Sequence, residues 1–355
     1  METEKDGLEM LDLLVDPAFC VRDGLIVKAN IAALAYSLCP GTEVFPLLLT
    51  GEAEYRGFAG GCLSLQLHLE GQTRGASVTK LGDVHVFLLD SEEEDDTLRA
   101  MALAARELRQ PLSNLIAIAD TLLPRSSSHW NEKTRQQMAR LSRGLYQLEK
   151  TVGNMSDAGG AEVLFHPEYR DIPSIFDEIF QKAAALLSTS GATLRYTGMN
   201  QSIYGLIDAQ MMERAVLNIL SNALKFQPTG CEIQAALTRQ GSFLRLSLQD
   251  NGPGIDSGIL GSLFSRHLRQ PGLEDSRYGI GLGMTIIRSA AMSHGGTVLV
   301  DQPESGGTRV TMTMKLRKPT ETTVRTPGIL LSSGRDMALI ELSQCLPLSV
   351  YEKDL

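Results

Sequence analysis

The spacing of hydrophobic positions changes several times along the chain, and each change predicts a different element. Ala18-Phe19-Cys20-Val21 and Leu25-Ile26-Val27 flank Arg22-Asp23-Gly24, which predicts a β-hairpin, and residues 29–38 suit a short helix. Leu63, Leu65, Leu67 and Leu69 alternate with Ser64, Gln66 and His68, the period of a strand with one buried face. Another strand is predicted from Val84 to Leu89, after the Gly82-Asp83 turn. The period then lengthens. Leu98, Met101, Ala105, Leu108, Leu112, Leu115, Ala119 and Leu122 alternate spacings of three and four. After Pro124 and Ser126-Ser127-Ser128 the same spacing runs through Met138, Leu141, Leu145, Leu148, Val152 and Met155. These are heptad seams, and they predict two long helices joined as an antiparallel hairpin. A lone hairpin cannot cover both seams. Pairing with a second copy into a four-helix bundle does so, and packing against another part of the chain is the alternative.

Beyond a predicted hinge at Asp157-Ala158-Gly159-Gly160-Ala161, strands and helices alternate. Residues 172–187 and the stretch after Asp208 read as helices. Residues 193–196, 204–208, 231–238, 243–250, 297–300 and 308–316 read as strands. Residues 336–346, with Met337, Leu339, Ile340, Leu342 and Leu346, predict a short amphipathic helix, either a docked appendage or a partner-binding tail. The fold class is therefore α/β multidomain. An α/β module spans 1–90, a helical hairpin 91–160, an α/β domain 161–318 and an extension 319–355.

Composition narrows the class of partner. Of 355 residues 43% are hydrophobic and 21% charged, and 42 acidic against 33 basic residues give a net charge of −9. An acidic chain without a Lys/Arg block argues against nucleic acid or an anionic membrane as the main partner. The five scattered cysteines show no metal-ligand spacing and read as reduced thiols, while His68 and His85 on their strands read as packed or solvated rather than ligating. No apolar run nears the roughly 20 residues that span a bilayer, and the N-terminus is acidic. A cytoplasmic protein is expected. The acidic run Ser91 to Asp96 suits the start of a helix.

Three blocks carry candidate chemistry. Leu248-Gln249-Asp250-Asn251-Gly252-Pro253-Gly254-Ile255 ends an alternating strand in one carboxylate followed by glycines. Gly279-Ile280-Gly281-Leu282-Gly283-Met284 precedes Ile286, Ile287, Ala290 and Ala291 at helical spacing, so free backbone N–H groups stand where a phosphate could bind. On the helix after Asp208, Val216, Leu217, Leu220, Ala223 and Leu224 form the apolar side, and Asn218, Asn222 and Lys225 share another face. That face is either solvated or a partner for phosphates and a divalent cation.

The order of these blocks, with Gly306-Gly307-Thr308 before the last strand, closely resembles the ATP-binding domain of sensor histidine kinases, gyrase, MutL and the heat-shock chaperone ATPases, over about residues 165–317. The resemblance implies an α/β sandwich binding ATP and Mg²⁺. Asp250 would accept from the adenine amino group, Asn222 would ligate the metal, and Asn218 and Lys225 would meet the phosphates. Gly252 and Gly254, beside Ile255, would let the backbone approach the base. Gly279, Gly281 and Gly283, around Leu282, would carry a lid hinge and a phosphate-facing turn, with the lid itself running from Leu263 through Arg277. Thr308 would close the adenine pocket.

In the first seam helix, Ala105-Arg106-Glu107-Leu108-Arg109-Gln110-Pro111-Leu112 resembles the phosphoacceptor box of sensor histidine kinases, usually Ser-His-Glu-Leu-Arg-Thr-Pro-Leu. Arg106 holds the place of the acceptor histidine. A guanidinium stays protonated and offers no lone pair to a γ-phosphate. The six histidines lie elsewhere, His129 nearest, in the turn. The N-terminal module is similar to a PAS sensor domain. The family as a whole implies a cytosolic, dimeric sensor kinase of a two-component system, partnered by a response-regulator receiver domain. The Arg106 departure implies an alternative: a silent, nucleotide-regulated dimer that binds or dephosphorylates the receiver, with Glu107 and Gln110 at the family's water-holding positions. A serine kinase of the anti-sigma type or a chaperone-like ATPase is disfavoured, because those lack the heptad hairpin.

Overall fold

A computed structural model describes residues 11–122, 131–159, 165–260, 263–264, 282–319 and 335–353. In chain order the elements begin with β1 (Ala18–Arg22), β2 (Leu25–Ala29), α1 (Ile31–Leu34), α2 (Glu52–Arg56), β3 (Cys62–Leu69), β4 (Gln72–Leu81) and β5 (Val84–Leu89). The long helices α3 (Glu92–Leu122) and α4 (Glu132–Ala158) follow, then β6 (Glu168–Asp171), α5 (Ile172–Ser188), β7 (Thr193–Thr197), β8 (Tyr204–Ile207) and α6 (Ala209–Phe226). The remainder is β9 (Glu232–Gln240), β10 (Phe243–Asp250), α7 (Ser257–Leu260), α8 (Gly283–Ser293), β11 (Val298–Asp301), β12 (Arg309–Lys315), α9 (Met337–Glu341) and α10 (Leu348–Lys353). Two compact units divide these elements, each assembled from separated stretches.

The first unit comprises Met1–Asp96, Arg239–Ser247 and Pro253–Lys315. Its N-terminal strands stand in the order β2-β1-β5-β4-β3, with β1–β2, β1–β5, β3–β4 and β4–β5 all paired antiparallel. The alternation along β3 is realised: Leu63, Leu65, Leu67 and Leu69 are buried against Phe19, Val78 and Phe87. Phe19 stacks on Phe87 at 4.7 Å, and Tyr55 meets Phe87 edge-on at 5.3 Å. His85 lies in this aromatic cluster, its Nδ1 3.1 Å from the Tyr55 hydroxyl, and burial followed by Lys80 lowers its pKa. His68 is exposed. Strand β4 had no sequence signal, because only Ala76, Ser77 and Val78 of its ten residues are buried. Its identity comes from pairing with β3 and β5. On its other side β3 pairs antiparallel with β11, Leu63 opposite Leu299, and β12 lies beyond. The expected helix over 29–38 shortens to α1, capped by Asn30, whose Oδ1 accepts from Ala33 N at 2.9 Å.

The second unit comprises Thr97–Thr238, Leu248–Gly252 and Leu316–Leu355. Helices α3 and α4 form the expected pair, but the seams do not behave as one buried stripe. Ala105, Leu112 and Ile116 pack with Leu145 and Val152. Leu108, Leu115, Leu141 and Leu148 are 48%, 55%, 46% and 52% exposed. A 3.6-residue helix drifts against a 3.5-residue repeat, so Ile116 joins Leu112 on the inner side while Leu108, Leu115, Leu141 and Leu148 face outward. Gly159, read as part of a hinge, is a close-approach residue: a Cβ there would strike Ala102 and come within 2.8 Å of the Leu98 carbonyl. Residues 160–164, the rest of that hinge, and the serine turn lie outside the described residues.

Helix α6 starts at Asp208, whose Oδ1 accepts from Met211 N at 3.0 Å while Oδ2 accepts from His166 N at 3.0 Å. Its apolar side, including Met212, Ala215, Val216, Ile219 and Leu220, is fully buried. Strands β7 and β9 pair in parallel, and β6 pairs antiparallel with β8. The helix expected over 336–346 is α9 alone, because turns follow Glu341 and Pro347 disfavours helical backbone at the residue before it. The unforeseen α10 returns across α4: Tyr351 is wholly buried, donates to the Leu339 carbonyl at 3.1 Å and lies 5.4 Å from the Tyr146 ring. Both of these Tyr351 contacts are to residues of the second unit.

Candidate functional site

On α6, the three polar residues differ in their surroundings. Asn222 and Lys225 are partly exposed, whereas Asn218 is buried. Asn218 Nδ2 donates to the Arg214 carbonyl at 2.9 Å and to Glu341 Oε2 at 3.2 Å. Glu341 comes from α9 and is 0% exposed. Its Oε1 accepts from Arg214 Nε at 3.1 Å, and Lys150 Nζ from α4 lies 3.6 Å from Oε2. Lys150 also donates to the Glu341 carbonyl and to Ser221 Oγ, the latter at 3.2 Å. Arg214 further binds Asp157 and donates to Asn154 Oδ1 at 3.0 Å. Burial, then the neighbouring Lys150, lowers the pKa of Lys225, with Cys345 and Glu341 opposing.

The first glycine turn belongs to two chain stretches. In the second unit, Asp250 Oδ1 accepts from Gly252 N at 2.8 Å, closing a turn on the strand's own carboxylate. A Cβ at Gly252 would come within 2.9 Å of that oxygen, so a larger residue there would push the Asp250 carboxylate aside. Asn251 clamps the turn, accepting from Glu232 N at 2.9 Å and donating to the Gly230 carbonyl at 3.0 Å. In the first unit, Gly254 has φ +81°, and a Cβ would approach Gln302 Nε2 to 2.5 Å. Ile255 beside it is half-buried.

Gly279 and Gly281 lie outside the described residues, as does most of the expected lid. Leu282 is buried at the start of α8, and Gly283 is its first helical residue. Thr308 follows Gly306 and Gly307, both in the left-handed region, and leads into β12. On α3, Arg106, Glu107 and Gln110 are all exposed, and Gln110 Nε2 donates to Asn114 Oδ1 at 3.1 Å.

Several residues had no sequence signal. Lys150 sits between seam positions, Glu341 interrupts an apolar helix, and only the fold reveals that they meet. In the first unit Arg288 of α8 forms a two-pronged ion pair with Asp90, both contacts 2.7 Å, tying the helix after the second glycine box to the end of β5.

Comparison with known proteins gives this arrangement its relatives. Residues 207–318 match the family of histidine kinase-, DNA gyrase B- and HSP90-like ATPases. The chain is 26% identical over 224 residues to the sensor protein KdpD of Mycobacterium tuberculosis, covering 61% of this chain and 26% of that one. It is 26% identical over 284 residues to the sensor protein RstB of Escherichia coli, covering 76% and 60%. The chain is thus similar to sensor histidine kinases over its matched stretches, and residues 207–318 are the part that matches the ATPase family. It spans about a quarter of KdpD and three fifths of RstB. A crystal structure of full-length ShkA with AMPPNP aligns at a TM-score of 0.49 and 19% identity, over 62% of this chain and 46% of ShkA. At that score the likeness adds nothing on function. Among the described residues no helix is long and apolar enough to cross a membrane.

The geometry at Gly254 generates a test of the first glycine box. Gly254→Ala forces a side chain into left-handed backbone, at about 1–2 kcal/mol. Denaturant titration should show that loss, whereas an unchanged midpoint would mean that the turn relaxes at no cost.

Proposed function

We propose that this chain is an ATP-binding, dimeric signalling protein of the two-component type whose hairpin no longer accepts phosphate at the family position. The observation that carries the proposal is the exposed Arg106 at the acceptor place of the phosphoacceptor box, in a chain that also carries the family's ATPase domain. The expected sensor module (1–90), hairpin (91–160), ATP domain (161–318) and extension (319–355) serve this reading as its parts. The protein acts in the cytoplasm.

The residues present fit a nucleotide. Asp250 offers a carboxylate held in place by Gly252 N, the group that the family resemblance assigns to the adenine amino group. Asn222 and Lys225 supply an amide oxygen and a cation beside each other on α6. Among the described residues no three His, Cys, Asp or Glu side chains cluster as a metal site, so Mg²⁺ would arrive with the phosphates and take Asn222 as its protein ligand. Asn218, the glycines of the second box (Gly279, Gly281 and Gly283, around Leu282) and Thr308 keep the roles that the family resemblance implies. Asp250→Ala should weaken ATP binding about ten- to a hundredfold, on the order of 1.5–3 kcal/mol. Calorimetry that finds wild-type affinity would remove Asp250 from the site.

Arg106 remains charged and cannot take a phosphoryl group as an imidazole does, but its planar fork suits an aspartyl phosphate on a receiver domain. Glu107 and Gln110 share the exposed surface, and an amide can orient an attacking water. The reading therefore includes receiver binding or dephosphorylation, weakened by Gln110→Ala. Incubation with γ-phosphate-labelled ATP should leave the wild type without acid-labile label, and Arg106→His should gain it. Equal acid-labile label on wild type and Arg106→Ala would reveal another acceptor and an active kinase.

The exposed leucines argue for a second copy of the chain. Leu108, Leu115, Leu141 and Leu148 form an apolar stripe that a four-helix bundle would cover. Leu115→Asp should give a monomer of unchanged helicity, whereas Leu145→Asp, inside the hairpin, should unfold it. A wild type that sediments as a monomer contradicts the dimer.

A further inference from the structure

The buried carboxylate of Glu341 stands where the nucleotide reading needs an anion. Its partners are Asn218 Nδ2 at 3.2 Å, Arg214 Nε at 3.1 Å and Lys150 Nζ at 3.6 Å, and Lys225 lies close enough to feel its charge. Two of these four, Asn218 and Lys225, are the residues proposed above to meet phosphates. A carboxylate without solvent is tolerated only when donors surround it, and this one takes donors from both α4 and α6.

The rest of the extension holds Glu341 in place. Arg335 Nη2 contacts Asp120 Oδ1 at 2.6 Å, and Asp336 contacts Lys182 Nζ at 2.9 Å. Arg143 donates to the carbonyls of Ser343 and Gln344 at 3.0 and 3.2 Å. Cys345 Sγ donates to the Ser221 carbonyl at 3.5 Å. Ala338, Leu339, Ile340, Leu342 and Leu346 are buried. The segment 335–353 thus behaves as a ligand tethered to the polar face of α6.

We propose that the C-terminal segment is an autoinhibitory element, with Glu341 acting as a built-in anion that competes with ATP phosphates for the Asn218 face of α6. The proposal rests on the ATP-site reading. Competition follows from charge and from shared donors. A phosphate oxygen and the Glu341 carboxylate cannot both take the Asn218 amide, and two anions at that spacing repel in a site with little water. ATP therefore favours the undocked form, and the docked form lowers apparent ATP affinity by the fraction of molecules in which the face is open.

Cys345 and Glu341 give two independent readouts in the full-length chain. Alkylation of Cys345 by iodoacetamide is followed by peptide mass spectrometry, with the exposed Cys39 as internal standard. Saturating MgATP should raise the Cys345 rate several-fold relative to Cys39, and Glu341→Gln, which keeps the shape but removes the charge, should raise it without nucleotide. Calorimetry should show MgATP binding roughly tenfold tighter to Glu341→Gln than to wild type, the ratio expected if docked molecules outnumber open ones by about ten to one. An unchanged Cys345 rate under saturating MgATP overturns the proposal, and that measurement stands even if Glu341→Gln does not fold. Equal affinities for the two chains overturn it as well. If Asp250→Ala weakens binding while Glu341→Gln changes nothing, only the autoinhibitory role fails. If Asp250→Ala changes nothing in either background, the ATP-site reading fails and this proposal with it.

Discussion

A charged group with no access to water must find its counter-charges inside the protein, and Glu341 is the point at which that requirement organises the second unit. Arg214 and Lys150 answer it from two different helices, and Asn218 adds a third donor. Removing one partner of such a buried pair typically costs about 3–5 kcal/mol, because the other charge is left without compensation. The cluster therefore holds α4, α6 and α9 in one arrangement more strictly than their apolar contacts alone would. It also explains why a five-residue helix can be stable: isolated helices of that length are not, and α9 survives through its burial and its Asp336 cap.

The same face of α6 connects structure with function. Its apolar side is committed to the core, and Asn218, Asn222 and Lys225 lie on the polar face that the proposal assigns to a nucleotide. The Asp250 turn is held by Gly252 N and the Asn251 clamp, so the carboxylate proposed to meet a base is organised by the chain itself. In the first unit the Asp90–Arg288 pair ties the residue that follows β5 to α8, the helix after the second glycine box.

Elements with strong periodicity are legible in the sequence. Helix α6 and the strands β3 and β10 have burial patterns that single-residue hydrophobicity reproduces. Strand β4 is not legible, since its neighbours β3 and β5 define it and its own residues are mostly polar. The heptad seams are legible as helices but not as to which leucine turns inward, because that depends on the drift of the real helix against the repeat. Among site residues, Asp250 and the α6 amides announce themselves by spacing and by glycine context. Lys150, Arg214 and Glu341 do not. They lie far apart in sequence with no shared motif, and each read alone is an ordinary surface charge. The extension is legible as amphipathic, whereas its second helix and the burial of Tyr351 depend on what α4 offers it.

Hydrogen exchange of the wild-type chain with and without MgATP tests the central claim, that nucleotide binds the α6 face and the Asp250 turn, more directly than any substitution. The account predicts slower exchange at residues 218–226 and 249–254 on nucleotide binding. Exchange at those segments that is unchanged at saturating MgATP, or protection confined to other parts of the chain, would contradict it.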